Sequence, residues 1–580
     1  MDNKHVKPVE NLSIGKIIEV DGSRIIAELD PAISDLSRVF AGENYPIGQF
    51  GSIIKVHFGR RSIYGLVSRL RMKADYQLEK GMPVASSDER IIEADLFGEG
   101  EWRKKSENGF VLEFERGIAT YPLPQQTIYL TPKSELRFIY GDAKGPVIQI
   151  GEHVGSGGAP CYAELNELLG KHTAILGSTG AGKSGTVAAV IHSILERGEL
   201  AKHQHWHPQI IILDPHNEYG KAFPGHQRLS TDEGSLNLPY WLLNLEESLS
   251  LFIGKTEFAA TSQSNIVKNA LIAVREQAAE KLGLDKKKLT VDSPIPYELG
   301  DLTNMDNFGK TQGALYEIGL IGEINKQRPN NQNQANHEDY NKVIRKISSL
   351  LNDGRLKFMM SSWDSKQDPL PSIVNQFLTQ KTTVQIVDLS GVPNEVAGVA
   401  SAAIARIIFQ LKVWQSEAER QNSPVLLVCE EAHRYVPNRG EAQYEAAQSA
   451  IRRIAKEGRK YGVGLLLVSQ RPSEVEATVL SQCNSWIVMR ITNDADREHV
   501  RSILPDSMSG LTKMLSGLRR KEAIFVGQAA TLPTRVMIRS LLAEQLPRSN
   551  DVDFDKGWQQ HAMSLEQIDA VVQKWRYQSK

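Results

Sequence analysis

The chain has 580 residues, of which 41% are apolar, 24% charged and 7% aromatic. That is the composition of several globular domains with cores, and it excludes a disordered or fibrous chain. A formal net charge of -1 argues neither for nor against nucleic acid, because basic residues lining one channel can be balanced by acids elsewhere.

The first residues are polar and lack the apolar core of a secretory signal. No run of about 18 apolar residues follows, as a membrane span would need. The nearest candidate, Val396 to Gln410, is interrupted by Arg406. Cys161, Cys429 and Cys483 stand far apart without metal-ligand spacing, which predicts buried thiols in a cytoplasmic protein with no membrane contact.

Residues 10–150 read as β. GKIIEVDGSRIIAEL and GSIIKVHFGRRSIYGLVSRL are β-branched stretches, each with a central turn at Asp21-Gly22 and Phe58-Gly59. Shorter candidates are Arg90 to Phe97, Gly109 to Phe114 and Thr127 to Leu130. Short strands between Gly, Pro and Asp turns predict a small barrel or sandwich serving as a docking module.

From about residue 165 the pattern becomes α/β. Apolar strands are predicted at 172–176, 209–213, 382–388, 425–429, 463–468 and 485–490. Helices are predicted at 183–196, 395–418 and 444–460. Continuous apolar strands alternating with helices imply a parallel sheet covered on both faces. Between 226 and 380 the alternation stops; helical stretches at 262–282 and 339–351 flank the polar run KQRPNNQNQANHED at 326–339. The expected layout is a barrel (1–150), a P-loop core (151–225 and 381–545), a helical insertion (226–380) and a tail (546–580).

Gly177, Ser178, Thr179, Gly180, Ala181, Gly182, Lys183 and Ser184 match GxxxxGK[ST] after a buried strand and at a helix start. Such a loop turns backbone N–H groups inward to cradle phosphates, and Gly185 continues it into the helix. Lys183 is expected at the β- and γ-phosphates of ATP and Ser184 at Mg²⁺. The stretch Val425 to His433, VLLVCEEAH, delivers two acids to a strand end. Glu430 is the candidate for the metal shell, through water, and Glu431 for the general base.

Gln470 ends the next strand and suits a sensor of the γ-phosphate. The cluster Arg452, Arg453, Lys456, Arg459 and Lys460 compensates a helix C-terminus or supplies an arginine finger, with Arg459 nearest the strand. Asp214 and Glu218, in the turn after strand 209–213, are either catalytic or metal-shell residues, or caps that stabilise the turn.

LGSTGAGKS, ILDPHNEY, the helical insertion, EEAHRYVP, EGRKYGVGLLLVSQRPS and KEAIFVG, in this order, resemble the HerA branch of the HerA/FtsK superfamily of hexameric DNA-translocating ATPases. The resemblance covers nearly the whole chain. It implies a RecA-like core, a HAS-type barrel, a homo-hexamer with double-stranded DNA in its pore, and Arg459 acting across a subunit boundary. It also implies a tail from Pro547 that braces the neighbouring copy, and a partner on the barrel, either a NurA-type or other nuclease or a sirtuin-type NADase. The activity it implies is DNA translocation or unwinding, in end processing or anti-phage defence. A hexameric scaffold that activates the partner is the alternative. Lys513, Arg519, Arg520 and Lys521 are either DNA contacts, since tracking a phosphate backbone needs cations, or ordinary surface charges.

Overall fold

The structure is a computed structural model. It describes all residues except 1–9, 34–35, 41, 50, 73–76, 80–81, 85–88, 107–108, 142–144, 155–158, 201–204, 254–259, 298–333, 361–362, 364–366, 379–380, 439–444, 505–511, 549–551, 560–562 and 578–580.

Alternating burial along Arg24–Leu29 marks a strand with one face inward. It belongs to a closed barrel of six strands. Their order is Arg90–Ser106, Arg24–Leu29, Ser13–Asp21, Thr127–Leu130, Ile53–Phe58 and Arg61–Met72, and the last pairs back to Arg90–Ser106. Closure leaves no edge to be capped. It depends on Arg90–Ser106, read from the sequence as ending at Phe97. At 17 residues it is long enough to pair Arg24–Leu29, Arg61–Met72 and Gly109–Arg116. Ile17, Ile25, Val56, Val67, Ala94 and Ile128 fill the interior.

The helix Lys133–Gly141 follows the barrel and brings one carboxylate into it. Glu135 is fully buried and accepts from Lys55 Nζ at 2.6 Å and from Tyr64 Oη at 2.5 Å. Burial and the Glu135 charge push the Tyr64 phenol far up.

The chain forms two compact units: Met1–Lys202 with Gln470–Ser473 and Cys483–Leu541, and His203–Ser469 with Glu474–Gln482 and Leu542–Lys580. Beside the barrel, the first holds strands in the order Pro160–Glu164, Val147–His153, Thr534–Ile538, Glu522–Gly527, Ser485–Met489 and Thr173–Leu176. They are antiparallel except the last pair. The second unit holds five parallel strands, in the order Val463–Ser469, Val425–Cys429, Gln209–Asp214, Val384–Asp388 and Gln227–Ser230. Val384–Asp388, Val425–Cys429 and Val463–Ser469 are buried at every residue, as strands covered on both faces must be. The chain is thus α/β, with an N-terminal barrel.

Several elements differ from the sequence expectation. Gln227–Ser230 extends the parallel strands into the region read as helical. The helix expected to reach Ala418 stops at Trp414, because Ser416 caps a new helix, Glu417–Asn422, in a capping box with Glu419. Helices Leu245–Phe252, Ala260–Lys281, Gln334–Leu351 and Leu370–Phe377 occupy the insertion. Of the polar run at 326–339, residues 326–333 lie outside the described residues. All three cysteines are buried and unbonded.

Val396–Trp414 is long and apolar enough to cross a bilayer, yet it is mostly buried within the second unit. Arg406, the residue that interrupts it, donates to both oxygens of Glu247 at 2.8 and 2.7 Å and to the Leu242 carbonyl at 2.6 Å. A charge in a core helix is tolerated when it is paired in this way.

One buried and one half-buried imidazole make the first unit sensitive to acid. Burial pulls His153, which stacks on Tyr140 at 3.7 Å, from 6.5 to about 3. Burial, and then the Lys55 charge, pull His57 to about 4. Both stay neutral in the fold while their unfolded counterparts take up protons below 6.5. Stability is therefore complete above that value and is lost as pH falls toward the folded values. Between pH 7 and 5.5 the expected loss is about 2–3 kcal/mol in total, read as a lower melting temperature. His153→Gln should remove about half of that dependence.

Candidate nucleotide site

In the first unit, the strand Thr173–Leu176 is buried at all four positions and runs straight into the glycine loop. Gly180 and Gly182 take φ of 75° and 106°, left-handed values that a side chain resists. A Cβ on Gly177 would lie 2.8 Å from Met489 Cβ, whereas one on Gly180 would meet nothing within 4 Å. The loop is therefore tight where it touches the sheet and open where its glycine apex faces outward.

Neighbouring backbone holds the loop in place. Ser178 N–H donates to the Arg490 carbonyl at 2.8 Å, and Thr492 N–H donates to Ser178 Oγ at 3.1 Å. Lys521, itself at φ 66°, donates its N–H to the Ala181 carbonyl at 3.2 Å. The helix Lys183–Leu200 begins at the loop's end. Its first N–H groups have no acceptor within the helix, and its positive dipole end points the same way.

Lys183 Nζ donates to the Ser178 carbonyl at 3.3 Å, so the ammonium is folded over its own loop. The Thr179 hydroxyl donates to Gln470 Oε1 at 2.5 Å. This contact joins the predicted sensor to the loop. The open glycine apex, the helix N-terminus and the cation fit a nucleotide phosphate chain.

In the second unit, Val425–Cys429 delivers Glu430 and Glu431, both buried, to its C-terminal end. Glu430 N–H donates to the Leu213 carbonyl at 3.3 Å. Glu431 has φ 54° and ψ 51° and precedes a three-ten turn at Ala432–Arg434. Two imidazoles that the sequence did not single out flank its carboxylate. His433 Nδ1 is 3.3 Å from Oε2, and His216 Nε2 is 3.8 Å from Oε1. The Ser184 hydroxyl in the first unit and the Glu430 carboxylate in the second are each oxygen donors of the kind Mg²⁺ takes.

Asp214 does the work of a turn cap. Its Oδ1 accepts from His216 N–H at 3.2 Å and its Oδ2 from Tyr219 N–H at 3.0 Å, while burial raises its carboxyl to about 6. A cleft beside this turn is lined by Pro215, His216, Ser390, Asn394 and Arg434, among others. The Glu218 carbonyl accepts from Arg548 N–H at 2.8 Å, which ties down the start of the tail.

The basic cluster on helix Glu445–Tyr461 divides by partner. Arg452 makes a two-pronged pair with Glu476, and Arg453 lies 5.0 Å over the Phe409 ring. Arg459 stands exposed near the helix end. The candidate DNA contacts Lys513, Arg519, Arg520 and Lys521 are all exposed, and Arg519 also pairs with Glu522 at 3.3 Å.

A family model described as "Helicase HerA, central domain" matches residues 148–408. The chain is 28% identical over 453 residues to the probable DNA double-strand break repair helicase HerA of Methanocaldococcus jannaschii, covering 72% of this chain and 80% of that one. It is 24% identical over 465 residues to the DNA double-strand break repair helicase HerA of Pyrococcus furiosus, covering 71% and 72%. Among solved structures it is similar to VirB4 of Thermoanaerobacter pseudethanolicus, with a TM-score of 0.45 and 15% identity over 70% of this chain and 99% of that one.

Proposed function

We propose, from the match of the HerA central-domain model to residues 148–408, that this is a HerA-type ATP hydrolase working as a ring of six copies that drives double-stranded DNA through its pore. In this reading Lys183 binds the β- and γ-phosphates, and Ser184 and Glu430 hold Mg²⁺, the latter through water. When bound, the ion would neutralise phosphate charge. Glu431 orients the attacking water and takes its proton, Gln470 senses the γ-phosphate, and Arg459 of one copy completes the site of the next.

The observation that carries DNA coupling is the hydrogen bond from Lys521 N–H to the Ala181 carbonyl. Lys521 ends a segment bearing the exposed cations Lys513 and Arg520. A second bond, from Ile491 N–H to the Leu515 carbonyl, ties the middle of that segment to the strand end beside the loop. Movement of the phosphate loop would pull on residues suited to tracking a phosphate backbone.

The tail supports assembly. Its helices Phe554–Trp558 and Leu565–Tyr577 leave Phe554, Trp558, Leu565 and Trp575 exposed. Apolar surface of this kind suits a brace against the neighbouring copy. The barrel then serves as the seat of an effector, a nuclease of the NurA type or a sirtuin-type NADase.

Duplex DNA is expected to raise the ATPase rate of the full chain, and Lys183→Ala to abolish both basal and stimulated rates. Phosphate release measured with and without DNA, with the co-purified partner present, checks this. Equal rates would sink the motor reading and favour a ring that only assembles its effector.

A further inference from the structure

We propose that His433 is a positioning residue for Glu431, fixing the carboxylate that the hydrolysis reading above, on which this inference rests, makes the general base. Glu431 sits at φ 54°, ψ 51°, a backbone conformation that long side chains rarely adopt. It turns the chain so that the residue two positions on returns to face its carboxylate. His433 Nδ1 then lies 3.3 Å from Glu431 Oε2 and 3.3 Å from the Ser469 hydroxyl oxygen.

Ser469 is buried and is the last residue of Val463–Ser469, the strand that neighbours Val425–Cys429. The imidazole is thus held between a fixed hydroxyl on one strand and the carboxylate delivered by the next. Nδ1 shares a hydrogen bond with the Ser469 hydroxyl, and the Glu431 carboxylate lies against the same edge of the ring. His216 Nε2, 3.8 Å from Oε1 and 46% exposed, is the looser neighbour.

The chemistry explains why such a prop is useful. A general base must hold one oxygen within hydrogen-bond reach of its water, and a glutamate has three rotatable bonds with which to miss it. Fixing Oε2 fixes the plane of the carboxylate and therefore the direction in which the other oxygen faces. Ser469 also directly precedes Gln470 in the chain.

The test is steady-state ATPase kinetics and ATP affinity of the full-length protein carrying His433→Ala, His433→Asn, Ser469→Ala, Glu431→Gln, or His433→Ala with Glu431→Gln. His433→Ala should lower kcat about tenfold or more while KM and ATP affinity stay within about twofold. His433→Asn, whose amide N–H donates from near the Nδ1 position, should recover most of that loss. Ser469→Ala should fall between the two. In the Glu431→Gln background, His433→Ala should add nothing, because the group it positions is gone.

An unchanged kcat in His433→Ala would overturn the proposal. So would a kcat loss matched by an equal loss of ATP affinity, or His433→Asn as slow as His433→Ala. If His433→Ala does not fold, His433→Asn and Ser469→Ala carry the same comparison. Failure of the underlying reading looks different: Glu431→Gln would itself hydrolyse at the native rate.

Discussion

Glu431→Gln is expected to keep ATP on the protein while slowing its hydrolysis by about 10²–10⁴-fold. The amide matches the carboxylate in shape but cannot take the proton of the attacking water. Glu431 is buried at the end of a strand that is itself fully buried, so the substitution removes a charge without opening a cavity. The phosphate loop belongs to the other compact unit. Affinity measured with a fluorescent nucleotide should stay within a few-fold while phosphate release collapses. A rate within a few-fold of native would show that another group activates the water.

Arg459→Ala is expected to cost about 10³-fold or more in kcat with nucleotide affinity nearly unchanged, the signature of a finger that acts on the transition state. The helix itself argues for Arg459 over its neighbours. Arg452 is bound to Glu476 and Arg453 is stacked on Phe409, and removing either would disturb packing within one copy.

A mixing experiment makes the claim specific to the subunit boundary. Arg459→Ala copies and Lys183→Ala copies should each be inactive alone. Rings containing both should regain activity, because a Lys183→Ala copy still offers its arginine to the intact loop of its neighbour. Mixed rings as inactive as either parent would place Arg459 in its own copy's site, or outside catalysis.

Much of this molecule is legible from local sequence because its chemistry is local. The phosphate loop needs glycines and a lysine at fixed spacing after a buried strand, and residues 172–184 contain all of them. The acids Glu430 and Glu431 follow an unbroken apolar run, which marks a strand end. The prop at His433 could have been suspected from its place two residues after the base, but its partner Ser469 lies 36 positions away. The left-handed turn at Glu431 has no sequence signal, since neither glycine nor asparagine is present.

Closure of the barrel was hidden for a similar reason. It depends on Arg90–Ser106 being one strand across Gly98 and Gly100, where glycines read as a break. In the structure those glycines lie under Phe114 and Leu112, which need the space a side chain would fill. Pairing of Lys55 with Glu135 spans 80 positions, and nothing in either neighbourhood announces it.

The helix Lys133–Gly141 gripping both of its neighbours has a mechanical consequence. On one side Glu135 is locked to Lys55 and Tyr64 of the barrel; on the other Tyr140 stacks on His153 of the adjoining sheet. A third strut, Arg116 Nε on the Thr531 carbonyl at 2.5 Å, spans the same junction. Such a joint behaves as a weld and not as a hinge. A load applied to the barrel's outer rim would reach the sheet that carries the phosphate loop without being absorbed on the way. An effector seated there would be carried as rigid freight through each cycle, and any slack in the machine has to be sought elsewhere.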